Sequence, residues 1–220
     1  MIVGLVGFIG SGKGTAGELL NELGFTSKSF AGPVKDVAAS MFGWERALLE
    51  GDTDYSRNFR ETPCPFWSKK MGKPFTPREA LQKIGTEVGR NIFHSNLWVD
   101  KLENSLDNDK HYVITDVRFP NEIDWIHDQG GVVIEIQRGE NPFWYNKLTD
   151  NTIEDKQTFM KQFDVHYSEW AWINHNIDAI VRNDDTLDEL QTTLINVLTT
   201  YFGSTIIDEL LYDGEKNATF

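Results

Sequence analysis

A glycine-rich segment near the start of the chain, residues 7–15 (GFIGSGKGT), constrains the fold more than any other feature. It follows an uncharged run rich in β-branched residues, which predicts a buried strand, and it precedes residues 15–23, whose apolar side chains recur at helical spacing. Glycines in such a loop let successive backbone N–H groups converge on a phosphate, and the following helix adds its positive end. The segment therefore predicts a nucleotide-phosphate site formed by Gly10, Ser11, Gly12, Lys13, Gly14 and Thr15.

One position of this loop departs from the strict G-x-x-x-x-G-K-[ST] pattern. Gly14 stands where a serine or threonine ordinarily ligates Mg²⁺. Thr15 is the nearest hydroxyl and is therefore the candidate metal ligand; alternatively, the ion keeps more of its waters and contacts phosphate oxygens, which suits Mg²⁺. The Lys-Gly-Thr order resembles the loop of nucleoside monophosphate kinases such as adenylate kinase.

Strands and helices alternate along the rest of the chain. Short apolar runs predict four further strands, at residues 28–30, 111–115, 131–136 and 178–181. Because helical patterns lie between them, we predict an α/β fold of three layers, in which helices flank a parallel sheet of about five strands. Residues 44–76 and 139–172 have no clean period, and we interpret both as irregular insertions.

An acidic and a basic residue follow the strand predicted at residues 111–115. Asp116, at the strand end, can hold Mg²⁺ directly or through water, and Arg118 could clamp a phosphate in the same cleft. In parallel sheets the ligand site lies at the carboxyl ends of the strands, where the glycine loop also begins. The alternatives are a helix cap or turn residue for Asp116 and a surface ion pair for Arg118.

Composition argues against several other functions. The 220 residues include 34 acidic and 21 basic side chains, a net charge of −13, which disfavours nucleic-acid binding and adhesion to anionic membranes. We see no apolar run that approaches the length of a membrane span. Cys64 is the single cysteine, so no intramolecular disulfide can form and a reducing cytoplasm is expected.

These motifs together resemble the deoxynucleoside monophosphate kinases of tailed bacteriophages. The most discriminating segment is residues 76–90 (TPREALQKIGTEVGR), together with Trp98. The resemblance also rests on the glycine loop and on residues 30–36 (FAGPVKD), 115–122 (TDVRFPNE), 166–169 (HYSE) and 181–184 (VRND), and so extends over most of the chain. The last segment resembles the loop beside the adenine of ATP in this class, which assigns Asn183 to nucleotide binding.

The resemblance implies a single P-loop kinase domain, residues 1–220, that acts in the cytoplasm, of the host cell if the chain is of phage origin. It would move the γ-phosphoryl group of ATP, with Mg²⁺ as cofactor, to a deoxynucleoside 5′-monophosphate, giving ADP and the diphosphate for dNTP synthesis. Residues 44–106 would form the acceptor-binding insertion, and residues 139–172 a mobile lid. The last amphipathic helix could serve a homodimer or simply complete the core.

Acceptor-binding residues follow from the same resemblance. Arg78, Gln82 and Arg118 would hold the acceptor phosphate and base, with Lys35 and Trp67 beside them and Arg60 or Arg90 adding charge. We expect at least one of these arginines only to pair with a nearby glutamate, Glu61, Glu79 or Glu87. The aromatic residues around Trp67 could equally form a small core.

The lid segment is poor in arginine, in contrast to adenylate kinase. Arg138, at its edge, is the candidate catalytic arginine of the lid. His166 and Glu169 would organise the lid or contact phosphates, although a histidine in such a segment is more often structural.

Three other functions stay open at this point. Another small-molecule P-loop kinase, such as dephospho-coenzyme A kinase or phosphomevalonate kinase, would differ in its acceptor. A nucleotide-gated switch would hydrolyse ATP without depending on any acceptor. A catalytically inactive binding module is disfavoured by the presence of both Lys13 and Asp116.

Overall fold

The computed structural model describes residues 1–107, 109–149 and 155–217. The chain divides into two compact units: unit 1 comprises Met1–Ser29 and Asp107–Phe220, and unit 2 comprises Phe30–Leu106. The predicted acceptor-binding insertion, residues 44–106, lies within unit 2, and the predicted lid lies within unit 1. Residues 150–154 of the predicted lid are outside the described residues.

Five strands and eleven α-helices account for most of the described chain. The strands are β1 Ile2–Val6, β2 Thr26–Lys28, β3 Tyr112–Ile114, β4 Val132–Gln137 and β5 Ala179–Arg182. The helices are α1 Lys13–Glu22, α2 Gly32–Phe42, α3 Asp54–Glu61, α4 Pro65–Met71, α5 Pro77–Gln82, α6 Leu97–Glu103, α7 Pro120–Asp128, α8 Tyr145–Thr149, α9 Lys156–Lys161, α10 Leu187–Phe202 and α11 Ser204–Asn217. Short 3₁₀ turns lie at Arg46–Leu49 and Tyr167–Glu169, and a π-helix covers Lys83–Phe93.

The sheet of unit 1 is parallel throughout, with strand order β2-β3-β1-β4-β5. This confirms the predicted α/β class and the number of strands. Parallel neighbours require crossovers, and helices supply them along the chain. The carboxyl ends of β1 and β3, in the centre of the sheet, therefore meet at one edge, which positions the glycine loop and Asp116 at that edge.

The two faces of the sheet pack against different helices, which accounts for the three layers. On one face Val3 and Leu5 belong to a buried apolar cluster with side chains of α1, α10 and α11. On the other face β1 presents Gly4, where an added Cβ would lie 2.5 Å from the Ile126 side chain of α7. The alternation of side chains along a strand thus assigns α1 and α7 to opposite layers.

Residues 44–76 differ from the prediction, since they form regular structure rather than irregular chain. Thr53 caps α3 with a reciprocal capping box, and Cys64 precedes α4, which begins with Pro65 at its first turn. These helices are only eight and seven residues long, so the apolar period that reveals longer helices is too short to detect. In the tail after Gly203, residues Ser204–Asn217 form α11.

Unit 2 has its own small core beside residues 77–93. Val34, Ala38, Leu49, Ile84 and Trp98 are buried together. Residues 77–93 form α5 followed by the π-helix, where His94 N–H donates to the Gly89 carbonyl at 3.1 Å. The wider i→i+5 winding changes which side chains share a face, so the 100° steps of an α-helix do not apply to the residues after Gln82.

Replacing Gly89 by alanine is expected to destabilise unit 2. An added Cβ would lie 2.6 Å from Trp98 Cζ2 and 2.8 Å from the Ile84 carbonyl oxygen. Overpacking of this kind costs about 1–3 kcal/mol of unfolding free energy. Urea unfolding, followed by tryptophan fluorescence, measures the loss.

Gly85→Ala is the matched control, since it lies four residues earlier in the same helix. Its Cβ would meet Val34 methyl groups at 3.5 and 3.7 Å, which is ordinary contact. Because alanine favours helix over glycine, we expect this variant to be unchanged or stabilised by up to about 1 kcal/mol. Equal unfolding midpoints for the two variants would contradict the packing argument at Gly89.

None of the helices in the described part of the chain is both long and apolar enough to cross a membrane.

Candidate active site

The glycine loop between β1 and α1 depends on backbone conformations that favour glycine. Gly7, Gly10 and Gly12 have φ values of 137°, 82° and 97°. At Gly7 a Cβ would lie 2.4 Å from the Ile136 carbonyl oxygen, so the loop also passes too close to β4 for any side chain there. A glycine-rich turn of this kind at the N-terminus of a helix is suited to binding phosphate.

Lys13 folds back over the loop that precedes it. Its Nζ donates to the carbonyl oxygens of Gly7 at 2.7 Å and Phe8 at 2.9 Å. Burial, aided by the positive charge of Arg118, lowers the pKa of Lys13 to about 8, against the opposing charges of Glu169 and Asp116. Lys13 therefore lies in the electrostatic field of three of the side chains that the sequence assigned to catalysis or to the lid, namely Asp116, Arg118 and Glu169.

Gly14 and Thr15 begin α1 beside this lysine. Gly14 is exposed, with nothing within 4 Å of the position a Cβ would take, and Thr15 is half-buried. The open space at Gly14 shows that neighbouring atoms do not force a glycine there. Gly14 therefore differs from the strict loop pattern in its chemistry, because it lacks the side-chain hydroxyl that a serine or threonine would supply there.

Asp116 lies two residues beyond the end of β3. Its Oδ2 accepts a hydrogen bond from the Ser29 hydroxyl at 2.8 Å. Within the described ranges, His, Cys, Asp and Glu side chains form no group of three or more that could hold a metal ion. Carboxylate and hydroxyl oxygens nevertheless suit Mg²⁺, which commonly binds through one or two protein ligands together with phosphates and water. Asp116 and Thr15 are compatible with that mode.

Arg118 is held by residues of the predicted lid. Its Nη1 donates to Glu169 Oε1 at 2.6 Å and to the Ser168 carbonyl at 3.5 Å. Burial acts to lower the pKa of Arg118, but the charge and hydrogen bond of Glu169, with Asp116 and Glu122, raise it overall. The guanidinium is thus fully charged and oriented near Lys13.

Glu122 is a residue to which sequence reasoning gave no role. It is 1% exposed, and its Oε2 accepts from the backbone N–H groups of Arg118 at 2.7 Å and Phe119 at 3.0 Å. This carboxylate fixes the turn that carries Arg118 into α7. A proline at the first helical position with a glutamate two residues later was the available signal.

The predicted lid packs on the glycine loop through aromatic rings. The Phe8 ring lies 5.5 Å from that of Trp144, 5.8 Å from Tyr145 and 5.3 Å from Trp172. Both tryptophans are buried, which agrees with a packing role. The position of Phe8 inside the glycine motif gave no sign of this contact.

The other lid residues divide into two kinds. His166 Nδ1 contacts the Ser168 hydroxyl at 2.9 Å and accepts from the Ser168 N–H at 3.3 Å, so the histidine caps the 3₁₀ turn. Glu169 forms the ion pair with Arg118. Arg138 is exposed just after β4, next to Gly139, whose N–H donates to Asp184 Oδ1 at 2.6 Å.

Unit 2 contains the residues predicted to bind the acceptor. Lys35 Nζ pairs with Glu50 at 2.5 Å, and Arg78 pairs with Glu61, one of the three glutamates named above. Gln82 ends α5 and is half-buried. The pairing of Arg78 with Glu61 is of the kind expected for at least one of the predicted acceptor-binding arginines.

The remaining predicted acceptor residues contact backbone carbonyls of unit 2. Arg60 Nη1 donates to Glu50 at 3.2 Å, Arg90 Nη1 to Ser95 at 3.2 Å and Trp67 Nε1 to Phe42 at 2.9 Å. The ring of Trp67 also packs edge-on against Phe42 at 5.1 Å. Trp67 therefore takes part in the aromatic core of this unit.

The sequence of this chain is similar to those of known proteins. Residues 53–194, more than half of the chain, match the sequence model of the family described as deoxynucleotide monophosphate kinase. A mimivirus protein (Acanthamoeba polyphaga mimivirus) that carries the name of a deoxynucleotide monophosphate kinase is 38% identical over 63% of this chain and 74% of its own length. A deoxynucleoside-5′-monophosphate kinase of Escherichia phage T5 is 33% identical over 55% of this chain, and the match spans 45% of that relative.

Solved structures show more distant likenesses. A shikimate kinase of Aquifex aeolicus aligns over 93% of this chain and 100% of its own, with 14% identity and a TM-score of 0.43. A dephospho-CoA kinase of Campylobacter jejuni aligns over 91% of this chain and 96% of its own, with 18% identity and a TM-score of 0.39. The match to the family model, by contrast, includes the segments that carry Asp116, Arg118 and Glu169. With the similarity to the mimivirus protein, it shows that the chain belongs to the deoxynucleotide monophosphate kinase family.

Proposed function

We propose that this protein transfers the γ-phosphoryl group of ATP to a deoxynucleoside 5′-monophosphate, giving ADP and the deoxynucleoside diphosphate. The observation that carries the proposal is the phosphate-binding loop with Lys13 after β1, beside the strand β3 that leads to Asp116 and Arg118. Two cations and one carboxylate at the carboxyl ends of β1 and β3 suit the charge that develops on a transferred phosphoryl group.

Each side chain has a separate part in this transfer. An oxygen of the acceptor phosphate attacks the γ-phosphorus, and the bond from that phosphorus to the β-bridging oxygen breaks, so that ADP leaves with the bond's electrons. Lys13 would neutralise the β- and γ-phosphates, and Arg118 the oxygens of the phosphoryl group in transit. The acceptor phosphate is already an anionic nucleophile, so the mechanism requires no general base.

Mg²⁺ would contribute the remaining positive charge. We assign Asp116 and Thr15 as the residues that would hold it, the latter because Gly14 lacks the hydroxyl expected at its position. When bound, the ion would act as a Lewis acid that offsets the negative charge of the phosphates. Asp116 is positioned for this by its hydrogen bond from Ser29.

The acceptor would be bound by residues of unit 2. Support comes from the resemblance of residues 76–90 to the family and from the cations in this unit, above all Lys35, Arg60, Arg78 and Arg90, with Gln82 and Trp67 beside them. Several of these cations now pair with carboxylates or carbonyls, and an incoming phosphate would compete with those partners. Residues 44–106 are proposed as the acceptor-binding insertion and residues 139–172 as the lid.

The setting of the activity follows from the relatives. Because the matched proteins come from a mimivirus and a bacteriophage, we place the reaction in the cytoplasm of an infected cell. The partners would be ATP and the monophosphate, without nucleic acid or membrane, as the acidic composition favours. A homodimer through α10 or α11 stays an alternative to the monomer.

An acceptor panel tests the proposed function. ADP release from MgATP is measured with each dNMP, each NMP, dephospho-coenzyme A and no acceptor. We expect turnover only with monophosphates, deoxy forms preferred. Turnover with dephospho-coenzyme A alone would instead identify a different small-molecule kinase, and equal ADP release in every sample would identify an acceptor-independent ATPase.

A further inference from the structure

Asn183, in the loop after β5, contacts the phosphate loop rather than being left available for a nucleotide base. Its Nδ2 donates to the Ser11 carbonyl oxygen at 2.9 Å, across 172 residues of sequence. Ser11 is 4% exposed, and its hydroxyl has no hydrogen-bond partner among the described residues. This part of the loop is therefore held by the Asn183 amide and by the Ser11 N–H, which donates to the Phe8 carbonyl at 3.2 Å, and not by the serine's own side chain.

The contact determines the direction of a backbone amide. In a trans peptide the carbonyl oxygen and the following N–H lie in one plane and point in opposite directions. Because the Ser11 carbonyl points at Asn183, the Gly12 N–H points to the opposite side, away from the loop after β5. The Gly12 N–H belongs to the run of amides that a glycine loop offers to phosphate.

Gly12 packs directly against the Asn183 side chain. A Cβ on Gly12 would lie 2.0 Å from Asn183 Nδ2 and 3.2 Å from its Cγ. Gly12 also has φ of 97° and precedes α1 directly. The absence of a side chain at this position thus makes room for Asn183, in addition to allowing the positive φ.

Hydrogen bonds and an ion pair hold the segment that contains Asn183. Its backbone N–H donates to the Gln137 carbonyl at the end of β4, at 2.7 Å. The next residue, Asp184, pairs with Arg182 at 3.0 Å and accepts from the Gly139 N–H at 2.6 Å. The donor is therefore anchored at the ends of two neighbouring strands, β4 and β5.

We propose that Asn183 is a positioning residue for the phosphoryl donor: it holds the Ser11–Gly12 peptide so that the loop's amides face the triphosphate. This deepens the proposed function and rests on its assignment of the loop to ATP. The inference differs from the resemblance-based role, in which Asn183 would lie beside the adenine. A residue that acts through the loop affects every triphosphate equally, whereas a base contact affects only the nucleotide that carries the base.

The test is binding of three ligands, measured by calorimetry with Mg²⁺ and without acceptor: ATP, GTP and inorganic tripolyphosphate. Asn183→Ala removes one hydrogen bond and is expected to weaken all three by about three- to tenfold. Asn183→Asp keeps the shape but cannot donate, and its charge would face the Ser11 carbonyl, so we expect at least about a thirtyfold loss for all three. If Asn183 were needed only for its volume, the order of the two variants would be reversed. Asn183→Asp would then bind the ligands nearly as tightly as the wild type, and Asn183→Ala would bind them more weakly.

Control variants distinguish an effect of Asn183 on the loop from a folding defect and from a failure of the proposed kinase function. Asn196→Asp, the same change at an exposed position of α10, should leave all three affinities unchanged. In a Gly12→Ala background the Asn183 contact is already displaced, so Asn183→Ala should add less than twofold. A loss of affinity confined to ATP would overturn the positioning role, as would an Asn183→Asp variant that binds the ligands as tightly as the wild type. Wild-type turnover in the acceptor panel tests the kinase reaction independently of either result.

Discussion

Replacement of Lys13 by alanine is expected to abolish phosphoryl transfer, with kcat at least about 10³-fold below that of the wild type. The ammonium group is the cation nearest to the phosphate loop backbone, and it would neutralise charge that grows in the transition state. Coupled measurement of ADP release with a preferred dNMP gives the rate. The thermal unfolding midpoint is recorded alongside, because the variant also leaves the Gly7 and Phe8 carbonyls without this donor.

The pH dependence of nucleotide binding reports on the same lysine. Since burial holds its pKa at about 8, the free protein loses this proton above that pH, whereas a bound triphosphate would favour the charged form. Binding then takes up a proton, so the wild-type Kd for ATP should rise above pH 8, by up to about tenfold per pH unit. Lys13→Ala should remove that rise. Lys101→Ala, at an exposed position of α6, is the control and should retain both the rate and the pH dependence.

Replacement of Arg118 by alanine is expected to lower kcat/KM by about 10²- to 10⁴-fold. The guanidinium is the second cation near Lys13, and its two-pronged geometry suits the oxygens of a transferred phosphoryl group. Arg118→Lys should recover only part of the loss, because an ammonium group cannot form the paired contact. Steady-state kinetics with varied dNMP separates an effect on acceptor binding from an effect on kcat.

Glu169 must be controlled in this experiment, because Arg118→Ala leaves that carboxylate half-buried without its partner. Glu169→Gln keeps the shape and removes the charge, and we expect it to cost less than about tenfold. The double variant Arg118→Ala/Glu169→Gln contains no orphaned charge. If the double variant recovered wild-type kcat/KM, the loss in Arg118→Ala would belong to Glu169, and the proposed role of Arg118 would be wrong.

The local sequence was sufficient to predict the secondary-structure elements whose conformation depends on residues close by in the chain. The apolar run before the glycine loop predicted β1, and the apolar period after it predicted α1, because glycine conformations and the apolar period act within a few residues. The parallel sheet followed from the alternation of strands and helices, and the positions of Asp116 and Arg118 from their place after β3. Prediction failed for α3 and α4, which are too short to show a period.

The partners of the site side chains were decided only by tertiary structure. Arg118 meets Glu169, and Asn183 meets Ser11, across 51 and 172 residues of sequence. No local pattern encodes these pairs, since they arise where β-strand ends and distant loops come together at one edge of the sheet. The sequence by itself determined which residue types stand at the phosphate site, and the tertiary structure decided how they are oriented, because orientation depends on contacts that the sheet creates.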